Sequence, residues 1–197
     1  MRRAGAVAGI VVGAVVLAAV PVAIWWLGRT GGGTGSCEVT SIQPGDTAPT
    51  AYTFAPEQAR NAATIAAVGL RMGLPDHAVT IALAAALQES KLRNLSYGDR
   101  DSLGLFQQRP SQGWGSPDQI SDPAYAATVF YQRLRSVPGW QTLSVTAAAQ
   151  RVQHSDAPQA YARWEGLARV AAAALTGETA AGLTCRGLDV SPDGGAG

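Results

Sequence analysis

The chain has 197 residues, 47% of them apolar and 15% charged, with a formal net charge of +1. That length holds one domain of ordinary size plus tails, and the apolar fraction excludes a wholly disordered chain. A charge so near zero excludes a nucleic-acid reader held by phosphate contacts. Two Cys and two His, all far apart, lack zinc-ligand spacing, and no glycine-rich nucleotide motif is present, so no metal or other cofactor is expected.

Arg2 and Arg3 precede an uncharged run, residues 4–27, that is long enough to cross a bilayer core of about 30 Å. It ends in Trp25-Trp26, which suit the membrane–water interface. Positive charge before the run predicts residues 1–3 in the cytoplasm, 4–27 as a single-pass transmembrane anchor, and the rest outside the cell membrane. The alternative is a cleaved signal peptide and a secreted product. Residues 28–54, rich in Gly, Thr, Ser and Pro, read as a linker, and 177–197 as a loose tail carrying Cys185. Cys37 and Cys185 flank the region between and are expected to pair in an oxidising compartment. Setting aside Arg2, Arg3 and Arg29 from the 15 basic residues leaves 12 against 14 acidic ones. Bulk charge therefore does not draw the exterior part onto an anionic wall polymer or membrane.

Residues 55–176 carry mostly helical periodicity, so the fold class is mainly α. The first helix is predicted from Pro56, with Glu57 favouring its N-terminal dipole, to about Met72, where Gly73 stops it. A second runs from Pro75-Asp76 to about Arg93. Its stretch 78–87 is apolar on every side except at Thr80, the pattern of a helix buried all round. The segment Asn94–Gly115 reads as a loop or short hairpin. Asp122-Pro123 opens a third helix to about Arg135, and two more are expected over Leu143–Val152 and Ala157–Leu175, the last with Pro158 in its first turn.

Glu89 follows the buried stretch, and its neighbours one and two turns back are Ala86, Ala85 and Ala82. A carboxyl group there loses hydration, and the helix C-terminus adds unfavourable dipole; both raise its pKa, as a general acid requires. The alternative is a solvated Glu paired with Arg93 at i+4. His77 and His154 read as surface or helix-end residues.

The run Gln88-Glu89-Ser90-Lys91-Leu92-Arg93-Asn94, then Ser102-Leu103-Gly104-Leu105-Phe106-Gln107, resembles the lysozyme-like superfamily, in particular the lytic transglycosylase domain and goose-type lysozymes. The first matches the family's Glu-Ser helix end, the second its S-x-G-L-M-Q loop, with Phe106 in place of Met. Tyr161, in Pro158-Gln159-Ala160-Tyr161, stands where the family often has its final Tyr. The resemblance covers about residues 55–176. It implies a lysozyme-like helical domain with a saccharide cleft beside Glu89. It also implies cleavage of the β-1,4 bond between N-acetylmuramic acid and N-acetylglucosamine in peptidoglycan, with Glu89 protonating the glycosidic oxygen. A lytic transglycosylase then closes the product with its own 6-hydroxyl and needs one Glu. A hydrolase needs a second carboxylate, for which Asp99 and Asp101 are candidates, or else residues of the turn around Gly98.

Ser102, Gln107 and Gln108 offer neutral hydrogen-bonding groups for a sugar. Gly104 would let the backbone approach sugar or catalytic helix closely. Tyr161 would position the Glu89 carboxyl, and Trp114 or Tyr97 would stack on a sugar ring or pack in the core. One departure is visible. The family's A-Y-N-x-G motif falls on Ala147–Val152, where Gln150 stands for the Asn and the Tyr is missing. The expected function is thus peptidoglycan cleavage; the alternatives are a catalytically inactive peptidoglycan-binding protein and an envelope scaffold. Expected partners are peptidoglycan glycan strands and, through the N-terminal helix, the membrane, with no nucleic acid.

Overall fold

The computed structural model describes residues 35–42 and 47–187. The expected cytoplasmic segment 1–3 and transmembrane segment 4–27 lie outside the described residues. No helix among the described residues is long and apolar enough to cross a membrane.

The structure is built around one helix. α2 (Asp76–Ser90) buries every residue from Ala78 to Leu87, as its all-round apolar pattern predicts. Four helices surround it: α1 (Pro56–Arg71), α4 (Pro123–Arg135), α5 (Val145–Gln153) and α6 (Glu165–Thr176). Their facing residues are mostly alanine, with Ala62 and Ala66 on α1, Ala148 and Ala149 on α5, and Ala168, Ala171 and Ala172 on α6. Small side chains on both sides of a contact let the backbones come close, so α2 fits inside the bundle without the volume of a leucine core. Ile65, Ile81, Leu83, Phe130, Tyr131 and Leu134 supply the bulk, each worth about 1.5–3 kcal/mol on burial.

Local sequence sets the helix ends. Pro56 opens α1, where the Ala55 N–H donates to Gln58 Oε1 at 2.9 Å. Asp122 caps α4 by accepting from the Ala124 N–H at 2.8 Å, and Ser144 caps α5 by accepting from the Ala147 N–H at 3.2 Å. The loop after α2 contains a short helix that periodicity does not reveal, α3 (Pro117–Ile120), closed by reciprocal Ser116–Gln119 capping. The last helix begins at Glu165 rather than near Ala157. The chain from 158 runs first through turns and a 3₁₀ turn, Ala162–Trp164, which carry Tyr161 beneath α2 instead of along a helix.

The expected linker and tail also differ. Residues 36–41 and 50–54 of the one, and 183–186 of the other, form an antiparallel sheet ordered β2–β1–β3. Its strands are β1 (Ser36–Ser41), β2 (Thr50–Phe54) and β3 (Leu183–Arg186). β1 alternates outward with buried Cys37, Val39 and Ser41, and it packs against α6. Cys37 lies opposite Cys185 across β1 and β3, and the two form the expected disulfide. The sheet thus closes both ends of the domain onto the helical bundle.

Candidate active site

Glu89 stands in the last turn of α2, and the backbone beyond it turns sharply. Lys91 and Leu92 both adopt the left-handed conformation, at φ 58° and 59°. Two consecutive non-glycine residues in that region carry strain, which their surroundings must hold. Here α1 holds them: Gln58 Nε2 donates to the Lys91 carbonyl at 2.9 Å, and Asn61 Nδ2 to the Leu92 carbonyl at 2.8 Å. The Leu92 side chain is wholly buried. Ser90 Oγ lies 3.1 Å from the Ala86 carbonyl and 2.8 Å from that of Leu105, tying the helix end to the loop behind it.

That loop folds back as a miniature hairpin. Leu103 and Gln108 exchange backbone hydrogen bonds of 2.9 and 3.0 Å, and Phe106 is buried against Phe130 with ring centroids 4.7 Å apart. Gly104 is required here, but for a different neighbour than expected. At φ +75°, a Cβ on it would stand 2.6 Å from the Ile120 carbonyl of α3, so it allows close packing against the protein itself. Gln107 Nε2 donates to the Gly104 carbonyl at 3.2 Å and to that of Tyr97 at 3.3 Å.

A groove of about 470 Å³ opens between this loop and the end of α5, with Glu89 in its lining. Ser102, Gln107 and Gln108 border it on the loop side; Gln153, His154 and Ser155 border it on the other. The wholly buried Tyr161 donates its hydroxyl to Glu89 Oε1 at 2.9 Å, the contact its position suggested. Burial raises the Glu89 pKa; hydrogen bonds from Tyr161 and Gln153 and the charge of Lys91 offset part of the rise. Burial raises the Tyr161 pKa too, reinforced by the Glu89 charge and the shared hydrogen bond, so the phenol keeps its proton and acts as a donor. Arg93 forms no ion pair among the described residues, so the i+4 partner considered for Glu89 is not engaged.

Other candidates fall elsewhere. Gln150 does not line the groove: its Nε2 donates to the Ser155 carbonyl at 2.7 Å and its Oε1 is buried without a partner. The residue that α5 delivers is Gln153, one turn further along, whose Nε2 also donates to the Phe106 carbonyl at 2.9 Å. Trp114 borders the groove but is buried, with the Arg133 guanidinium 3.4 Å from its ring centroid. Tyr97, 70% exposed, lines a second groove instead. His77 bonds the Leu143 carbonyl at 3.0 Å, far along α2 from Glu89.

The carboxylates near the groove are unequal. Asp101 pairs with Arg109 Nε at 2.6 Å and accepts from the Ser111 N–H at 2.8 Å. Those bonds hold its pKa well below the usual range and commit it to bracing the loop. Asp99 is exposed beside Arg100, at 3.8 Å. Asp156, which no sequence pattern marks, also lines the groove and makes no ion pair among the described residues. A scan of the chain against protein-family models finds no match, and a search of curated proteins finds none either.

Proposed function

We propose that this chain cleaves the glycan of peptidoglycan at the β-1,4 bond after N-acetylmuramic acid, as a lytic transglycosylase with Glu89 as general acid. The lysozyme-like fold, the N-terminal membrane anchor and the placement outside the cell membrane belong to the same proposal. One observation carries it: a half-buried carboxyl with a raised pKa, held at 2.9 Å by a buried tyrosine hydroxyl, facing a groove whose lining sets neutral amides and hydroxyls beside Asp99, Arg100, Arg109 and Asp156.

Protonated Glu89 gives its proton to the glycosidic oxygen as the C–O bond breaks and positive charge grows at C1 of the muramic acid. The resulting Glu89 carboxylate is stabilised by Tyr161 and Gln153, the donors that favour its charged form. It then takes the proton of the 6-hydroxyl, whose oxygen closes on C1 to give a 1,6-anhydro end. Glu89 finishes protonated, ready for another turnover. With Asp101 committed to Arg109, this route asks nothing of a second carboxylate. Hydrolysis is the second reading, and Asp156 favours it as the unpaired carboxylate in the groove lining, able to activate water.

The test is mass spectrometry of sacculi digested by the full-length chain. Anhydro ends are expected, with release abolished by Glu89→Gln and retained by Asp156→Asn. Reducing ends that vanish in Asp156→Asn would establish hydrolysis instead. Sacculi that bind the chain yet release no soluble muropeptide would leave a binding protein.

A further inference from the structure

The last turn of α2 has a second groove beside it, of about 460 Å³, sharing no lining residue with the first. Its lining includes Leu87, Leu95, Leu167 and the rings of Tyr97 and Trp164, with Lys91 and Arg93 among them. Arg163 adds a third cation next to it: its guanidinium lies 5.1 Å from the Trp164 ring centroid, and Lys91 Nζ lies 4.6 Å from the same point. Three positive groups gather here on an exterior portion whose acidic residues outnumber its basic ones.

None of the three forms an ion pair among the described residues. The nearby carboxylates are otherwise occupied. Glu57 accepts from the Asn94 N–H at 3.3 Å, Glu89 from Tyr161 at 2.9 Å, and Glu165 from Arg169 at 2.6 Å. Lys91 is the only lysine of the chain, and its Nζ donates to the Leu87 and Gln88 carbonyls at 3.1 and 3.2 Å. Arg163 donates to Gln88 Oε1 at 2.8 Å, which also accepts from Trp164 Nε1 at 2.9 Å. Neutral acceptors thus fix Lys91 and Arg163 in place, and Lys91 feels the Glu89 charge without forming an ion pair with it.

We infer that this second groove binds the short acidic peptide carried by N-acetylmuramic acid, its carboxylates held by Lys91, Arg93 and Arg163. The inference rests on peptidoglycan being the substrate. Charge complementarity selects an anion, and the apolar floor selects among anions. Leucine and aromatic surface suits alanine methyls and a peptide backbone, whereas a bare phosphate polymer would leave it wet. The two grooves flank the same helix end: Glu89 lines the first, and its chain neighbours Ser90 and Lys91 line the second.

The experiment is isothermal titration of the full-length chain with N-acetylmuramyl-L-alanyl-D-glutamate and with its methyl-esterified form, in which the carboxylates are masked. The free acid is expected to bind about tenfold tighter than the ester, roughly one charge-assisted contact's worth. Arg93→Gln/Arg163→Gln should bring that ratio to about one, as should salt high enough to screen exposed charge. Neutral chitotetraose, titrated alongside, reports whether the variant still folds; Lys91→Gln serves if it does not. A ratio near one in the wild-type chain, or one undiminished in both variants, overturns the inference. So does binding to phosphatidylglycerol vesicles that the variant loses while the peptide ratio is already one; the cations would then belong to a lipid headgroup. Failure of sacculus cleavage with the ratio intact would sink the catalytic reading and leave the groove assignment standing.

Discussion

The Tyr161–Glu89 hydrogen bond is the contact on which the acid's behaviour turns, and its strength should depend on pH. At 2.9 Å, with the tyrosine wholly buried, the hydroxyl meets a neutral carboxyl at low pH and a carboxylate at high pH. Neutral pairs contribute about 1 kcal/mol and pairs with one charged member about 2. A double-mutant cycle isolates this term, using Tyr161→Phe, Glu89→Leu and the pair, since Gln at 89 would still accept. Urea unfolding of the full-length chain, followed by circular dichroism, should give a coupling of about 1 kcal/mol at pH 4 and about 2 at pH 8. The linkage runs the same way. Because the folded Glu89 pKa lies above its ordinary value, the folded chain keeps a proton that the unfolded chain releases between the two. Stability from this group therefore falls as pH rises across that window and levels off above it. Tyr161→Phe removes a donor that lowers the pKa, so the window widens upward and the cost of the substitution grows with pH. Muropeptide release should drop about ten- to a hundred-fold, with the alkaline limb of its pH profile displaced upward. A coupling under about 0.5 kcal/mol at both pH values, or one that does not change between them, refutes the role assigned to Tyr161.

Two further substitutions test the frame around the site. The Cys37–Cys185 disulfide closes a loop with a sequence separation of 148, for which chain entropy gives about 5 kcal/mol as an upper bound. Cys37→Ala/Cys185→Ala should therefore lower the urea midpoint substantially, and an unchanged midpoint would mean that the sheet holds without the bridge. Gly104→Ala must place a methyl 2.6 Å from the Ile120 carbonyl while keeping φ +75°, so it should cost at least about 2 kcal/mol. A thermal midpoint equal to that of the wild type would show that the loop relaxes freely there.

Most of the helical bundle was legible because its chemistry is local. The all-round apolar run of α2 announces burial, and Pro56 and Asp122-Pro123 sit where caps and first turns belong. The misreadings came where tertiary contact outweighs local pattern. S-C-E-V-T-S and T-A-Y-T-F carry the alternation and β-branched content of strands. Neither is long enough to be stable alone, and both are embedded in glycine- and proline-rich sequence. They form a sheet by pairing with each other across β1 and β2, with β3, a sequence separation of 148 away at its cysteine, added on the far side of β1. Helical propensity likewise ran through 157–164, but Tyr161 must turn inward to meet Glu89, and turns and a 3₁₀ segment accomplish that.

Within the site, the same distinction separates Glu89 and Tyr161 from Gln153 and Asp156. The first two lie in short runs whose residue types resemble a known pattern. Gln153 had no such signal, because the resemblance aligned Gln150 with the expected asparagine. The geometry supplies the missing step: three residues later on the same helix brings an amide of the same chemistry into the groove lining, where it donates to the Phe106 carbonyl and favours the Glu89 carboxylate. With no tyrosine at the usual place on α5, the polar support of the acid comes from Gln153 on that helix and Tyr161 beyond it. Both are neutral donors, so they favour the Glu89 carboxylate less than a full positive charge in direct contact would. The Lys91 charge acts on Glu89 as well, and because Lys91 lines the second groove, an anion bound there would weaken its pull. An anion held there should then raise the Glu89 pKa further.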